Sequence, residues 1–356
     1  MGIIDRLKGI NYPRIALALG LGALGGLSFS WLGTPMPWML GSLFACIVGS
    51  VIGLPIAPPA ALRSPMTAIV GVMMGAGYSP ELIGYLSTWW VTLLGLVLFM
   101  ATAGVVCVTY FRVVARYDFP TAYFAGMPGG LVEMMSLAEG SGADGRRVAL
   151  IHSARIVLTV FSVPFIVQWL EGTTVARVGG QGVSMFEMDA TAYFWLTICV
   201  GGGLLLARFV KLPSRYLMGP LIVSVVVHIT GLSSFKPPWE LVLVAQLVLG
   251  TVIGCRFAGS RASELLQILW VSLGSTILLI GISAAFALLV SRLTSYSLSE
   301  LLLAYSPGGL AEMGLLALAL NLEVALVSTH HIFRILIVVA GATAIMPLFG
   351  IGKRTS

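Results

Sequence analysis

Twelve residues carry most of the chemistry this chain could do. They are Pro128, Gly129, Gly130, Glu133, His152 and Arg155, then Pro307, Gly308, Gly309, Glu312, His331 and Arg334. Both sets spell one pattern, PGGL-x-EM followed by H-x-x-R. Residues 127–160 align with 306–339 without a gap, at a spacing of 179 and with 13 of 34 positions identical. Two apolar segments can look alike because both are rich in Leu and Val. They do not thereby share a Pro-Gly-Gly, a carboxylate, a histidine and an arginine at fixed spacing. A polar constellation inside hydrophobic sequence has been duplicated.

The residue types dictate what each copy can do. Pro128 and Pro307 lack a backbone donor, and the glycines after them loosen the turn, so a helix should break at each site. Whatever follows the break starts a new half-helix whose first N–H groups have no partner and form the positive end of its dipole. Glu133 and Glu312 fall in that first turn, where a carboxylate caps such donors. His152 and Arg155 are three apart and share a helix face, as do His331 and Arg334. At the centre of a bilayer each charge costs about 2.5–3.5 kcal/mol. Two acids and two arginines left alone would cost on the order of 10 kcal/mol. The simplest arrangement therefore sets each Glu against an Arg, with His alongside as a group that titrates near neutral pH. A plainer reading stands beside it: Glu133 and Glu312 as structural caps, Arg155 and Arg334 as helix-locking counter-ions, His152 and His331 as satisfied core histidines. His228 and His330 have no duplicated partner, and Asp144 and Glu323 read as ordinary helix-start acids.

Composition puts this constellation in a membrane. Of 356 residues, 58% are hydrophobic and only 10% charged, where an ordinary soluble domain has about 25% charged. Mean hydropathy is +1.00. Several windows run long enough with almost no charge to cross a hydrocarbon core about 30 Å thick. The net charge of +6 reflects basic residues in short loops beside apolar spans, so nucleic acid is not an expected partner. Cys46, Cys107, Cys199 and Cys255 stand singly in apolar runs, without metal-site spacing or a disulfide framework.

Each half holds six apolar segments, at about 14–33, 36–54, 62–78, 86–110, 120–140 and 146–170, then 191–209, 216–231, 239–257, 264–290, 298–320 and 323–349. The Gly-rich polar stretch 171–190 reads as a linker, giving a first repeat at 1–170 and a second at 191–356. Basic residues decide the orientation. Six crossings per half would put eleven of them inside and seven outside. An odd number of crossings, with the Pro-Gly-Gly segment dipping in and returning, puts fifteen inside and leaves only Arg177, Lys236 and Arg292 outside. The expectation is an all-α polytopic membrane protein of two inverted repeats, each with about five transmembrane helices and one re-entrant or broken helix. Both termini would then be cytoplasmic. Inverted repeats with interrupted helices at the midplane are the architecture of many secondary transporters.

The twofold PGGL-x-EM and H-x-x-R resemble the bacterial inner-membrane family of AbrB duplication proteins, also labelled ammonia monooxygenases, over nearly the whole chain. The resemblance implies a multi-pass inner-membrane protein. A transcriptional role would need a DNA-binding element, and no soluble domain is left to carry one. A monooxygenase would need a redox metal or cofactor site, and the four histidines show no convincing ligand spacing. The expectation is a permease for a small polar or anionic solute, coupled to protons, with no cofactor and no catalytic or metal residues. A second copy of the chain is a further candidate partner. The alternatives are a metal-dependent membrane oxygenase using His152, His330 and His331, and a membrane regulatory protein.

Overall fold

The computed structural model describes residues 11–85, 88–138, 141–172, 183–210, 212–259 and 262–345, with the backbone alone for 83, 85, 132, 133, 262–264 and 342–345. Half of the expected linker, 173–182, lies outside the described residues, as do Arg177, Lys211 and Arg261. Among the described residues every regular element is helical. The helices are α1 (Tyr12–Trp31), α2 (Pro37–Val51), α3 (Ala60–Gly75), α4 (Trp89–Val113), α5 (Phe119–Gly126), α6 (Leu131–Ala138), α7 (Gly145–Glu171), α8 (Ala190–Phe209), α9 (Arg215–Ile229), α10 (Trp239–Gly254), α11 (Ala262–Ser291), α12 (Leu298–Tyr305), α13 (Leu310–Ala319) and α14 (Val324–Ile345). A single turn at Leu82–Tyr85 precedes α4, and a 3₁₀ turn, Cys255–Phe257, ends α10.

Polar residues at the ends of apolar runs start these helices. Asp118, Asp144 and Asp189 accept from backbone N–H groups as N-caps, and Ser297 with Glu300 forms a full capping box. The apolar faces are not turned inward as in a soluble protein. In α1 and α8 only 17% of the most apolar window is buried, and Leu24, Trp31, Phe194 and Phe209 are exposed. An apolar exterior on long helices needs lipid around it. The chain is an all-α polytopic membrane protein.

Crossing lengths are less uniform than five full spans per half. Among the described residues seven helices are long and apolar enough to cross a membrane, whereas α2, α3 and α9 have only 15 or 16 residues. At 1.5 Å per residue those three reach roughly 22–24 Å, short of a full hydrocarbon core.

The helices form two bundles. In one, α1 packs on α2 and α8 on α9, at points where only glycine fits: a Cβ on Gly25 or Gly41 would strike the other's carbonyl, and Gly203 and Gly219 meet in the same way. The third helix of each half then crosses over. Gly71 and Gly75 of α3 lie against the backbone of α9, while Gly250 and Gly254 of α10 lie against α2. Ser224 donates to the Val72 carbonyl at 2.8 Å and Ser50 to that of Gly254 at 3.2 Å. The second bundle gathers α4–α7 and α11–α14 around α11, α7 and α14. The bundles meet where α13 and α14 lie on α3, and Tyr78, just after α3, donates to the Ala325 carbonyl at 3.2 Å.

Candidate functional site

Each Pro-Gly-Gly interrupts a helix. α5 ends at Gly126 and α6 begins at Leu131; α12 ends at Tyr305 and α13 begins at Leu310. Each pair folds into a hairpin. Glu300 near the start of α12 accepts from the Glu323 N–H at the start of α14 (3.3 Å), and Thr121 accepts from the Asp144 N–H at the start of α7 (2.8 Å). The entry to each hairpin and the helix after it therefore begin at the same level. The second half-helix must lead from the break back to that level.

The neighbouring long helix pins the break. His152 Nε2 bonds the Phe124 carbonyl at 2.8 Å, and Arg155 donates to the carbonyls of Ala125, Met127 and Gly129 at 3.3–3.5 Å. In the second hairpin His331 Nε2 bonds the Leu303 carbonyl at 2.9 Å. Arg334 donates to Ser306 through Nη1 and to Gly308 through Nη2. This explains the H-x-x-R spacing. One turn of helix separates the two side chains, and they serve in order the carbonyls that a broken helix leaves without donors. Because α12 runs beside α14 in the same direction, His reaches the last turn and Arg the break itself.

For Arg334 these bonds take the place of the Glu312 ion pair expected from charge alone, while the pairing expected of Glu133 falls on a side chain outside the described residues. Among the described residues the one ion pair is Arg147 with Asp144, at 3.1 Å and outside the site. Orphaned carbonyls at a helix C-terminus supply the negative partner instead. A guanidinium with five donors can serve several of them at once. The histidines are tied in as well. His152 Nδ1 faces Arg155 Nη2 at 2.6 Å. A guanidinium only donates, so Nδ1 must accept and the proton sits on Nε2. His228 is satisfied between Ser224 and Phe235, and His330 bonds the Leu326 carbonyl. Asp144 is the N-cap of α7.

At the far side of each break the third helical residue is Glu133 or Glu312. The Glu133 side chain lies outside the described residues. Glu312 folds its carboxylate back over Gly309, into the place a Cβ there would fill. Pro128, Pro307 and Gly308 are buried, while Gly129, Gly130, Gly309 and Glu312 are half-buried. The two breaks are close to each other. A Cβ on Gly129 would touch Val338 of α14, and Arg155 and Arg334 lie within electrostatic reach of one another.

Two side chains that carry no duplicate join the picture. Gln246 on α10 is fully buried with neither amide atom bonded, and Arg256 in the 3₁₀ turn holds a buried Nη1 without a partner. Their counterparts in the first half are Thr67 and Gly77, so weighting the duplicated residues hides them. The available signal was simply a polar group in an apolar run. A cavity of about 400 Å³ opens at the junction of the bundles, bordered by Gly77, Lys236, Trp239, Glu300, Asn321 and Glu323. At this mouth burial and the charge of Glu300 push the Glu323 carboxyl up, against the opposing hydrogen bond from the Ala325 N–H. Among the described residues no three His, Cys, Asp or Glu side chains are placed to hold a metal ion.

The model of the family described as "Transition state regulatory protein AbrB" matches residues 38–350, which take in both hairpins and every helix but α1. The chain belongs to the AbrB family. Two relatives run nearly end to end with it. "Uncharacterized protein YhjN" of Bacillus subtilis (strain 168) is 27% identical over 347 residues, covering 90% of this chain and 89% of that protein. "Putative regulator AbrB" of Escherichia coli (strain K12) is 23% identical over 329 residues, covering 91% and 93%. The family match spans all twelve residues of the duplicated constellation.

Proposed function

We propose that this AbrB-family protein is a secondary transporter of the inner membrane that moves a small polar or anionic solute, coupled to protons, through the space between its two broken hairpins. One observation carries the reading: two interrupted helices bring a pair of guanidiniums and the N-termini of two half-helices into an apolar protein. Backbone left irregular at membrane depth lines a wet cavity or is buried in protein, and half-helix ends of this kind hold solutes and ions in transporters.

Helix starts recur at spacings of 178 or 179 in six of the seven pairs from α1 with α8 to α7 with α14, the pair of α4 with α11 excepted. Left-handed residues recur with them: Met36 with Ser214, Gly53 with Gly231, Gly142 with Asn321. With one hairpin and five other segments per half, the second repeat, 191–356, runs inverted to the first, 1–170, and both termini are cytoplasmic. The hairpin bundle then moves against the six-helix bundle, and the cavity between them is the route to one face. Glu133 and Glu312 carry the coupling proton.

Flux in proteoliposomes of wild type, Glu133→Gln and Arg334→Ala tests these roles. Solute uptake that depends on pH in the wild type and is lost or made pH-independent in the variants supports them. Undiminished, still pH-dependent flux in both variants removes them. The regulatory wording in the family description and in one relative's name favours a second reading, a membrane regulator that senses a solute through the same hairpins. It predicts solute-dependent thermal stabilisation without flux.

A further inference from the structure

Glu312 occupies a place that suits a ligand better than a cap. Its carboxylate lies over Gly309, at the first N–H groups of the ten-residue helix α13, yet no hydrogen bond holds it there among the described residues. Donors around it are in surplus. Arg334, 3% exposed, uses both Nη atoms on the break and keeps a buried Nε–H without an acceptor. Ser306, 0% exposed and next to the break, has a hydroxyl with no partner. Arg256 comes from the other bundle, with its Nη1 unpartnered. The charge of Glu312 acts on both Arg256 and Arg334.

Of the elements packed on α13, α14 brings Arg334, His331 and His330, α7 brings Arg155 and His152, α12 brings Glu300 and Tyr305, and α3 brings Arg63. The histidines are bonded to carbonyls, and Glu300 caps α12 at the far end of its hairpin. Arg63 acts on Arg256. A half-buried site with surplus donors and one carboxylate of its own is an anion site that the protein itself fills.

We propose that Glu312 is a built-in competitor for the solute: a carboxylate-bearing anion binds between Arg256 and the N-terminus of α13 when Glu312 takes up a proton and yields its place. This rests on the transport reading above and names its solute class and coupling. The step makes and breaks no covalent bond except the O–H formed when one proton from water adds to Glu312. The solute's oxygens then accept from the α13 N–H groups and from Arg256. One proton accompanies each bound anion. The first half has Gly77 at the position equivalent to Arg256, so the site is proposed for the second hairpin.

Succinate, propionate and benzoate serve as probes, in titration calorimetry of the full-length protein in lipid-containing micelles. Wild-type affinity for at least one of them falls as pH rises, by up to about tenfold per pH unit, and one proton is taken up per anion bound, read from the heats in two buffers. Glu312→Gln binds the same probe at pH 8 as tightly as the wild type does at low pH, without a slope. Adding Arg256→Gln to that variant weakens binding about tenfold or more, and Arg256→Lys retains part of it. An unchanged pH slope in Glu312→Gln overturns the proposal. So does binding without proton uptake in the wild type, a measurement that needs no variant. Failure of all three probes to bind Glu312→Gln at pH 8, or indifference to Arg256, overturns it too. Transport without these signatures refutes the competitor alone; the signatures in a protein that moves no solute refute transport and leave the anion site.

Discussion

Replacing Arg334 by Met keeps the length of the side chain and removes its donors. In the structure this frees the carbonyls of Ser306 and Gly308, both buried at the break. A buried acceptor left without its donor costs about 1–3 kcal/mol. Two of them give roughly 2–6 kcal/mol, with a further 0.3–1 kcal/mol from the helix dipole they terminate. Relief from burying a guanidinium offsets part of this, about 2.5–3.5 kcal/mol on insertion scales, so a net loss of about 1–3 kcal/mol is expected. Denaturant unfolding in mixed micelles measures it, beside the double variant Arg334→Met with Glu312→Gln. If the arginine belongs to the carbonyls, the second change restores less than about 1 kcal/mol, because the acceptors stay orphaned. Full recovery of stability in the double variant would show that the carboxylate was the true partner.

Three other outcomes follow from the same geometry. Replacing Gln246 by Leu removes two unbonded polar atoms from a fully buried site and should raise the thermal midpoint, by the equivalent of about 1–3 kcal/mol; a lower midpoint would mean that its amide has partners. Gly41→Ala and Gly219→Ala each push a Cβ into a facing carbonyl and should cost about 1–3 kcal/mol, read as lost thermal stability, whereas Gly20→Ala meets only open space and should be neutral. Glu323, whose carboxyl is raised by burial and by Glu300, binds its proton more tightly folded than unfolded. Its contribution to stability is full below the ordinary value of 4.5 and is lost as pH rises through the folded value. A pH scan of melting for wild type and Glu323→Gln should therefore diverge upward from about pH 4.5 in favour of the variant, and parallel curves would refute the shift.

Much of the fold could be read along the chain because membrane helices announce themselves by unbroken apolar length, and the two breaks because proline and glycine act locally. The partners of Arg155 and Arg334 could not. Sequence shows that a buried cation needs a negative partner, and the nearest formal charges are Glu133 and Glu312. A broken helix supplies partial charges in its carbonyls, and these become visible only when α14 is seen beside α12. The exchange of α3 and α10 between halves was hidden for a related reason. Gly71, Gly75, Gly250 and Gly254 mark a close approach, but nothing local says to which helix. Arg256 reads as one more basic loop residue until the 3₁₀ turn places it within electrostatic reach of Glu312.

The central claim is that the hairpin breaks form one site opened in turn to each face of the membrane. A single cysteine at Ala311, next to Glu312, tests it most directly in a background lacking Cys46, Cys107, Cys199 and Cys255. Membrane-impermeant thiol reagents are applied from either side of oriented vesicles. The account predicts labelling from both faces and protection by a bound carboxylate; labelling from one face only, whatever the pH or solute, would contradict it.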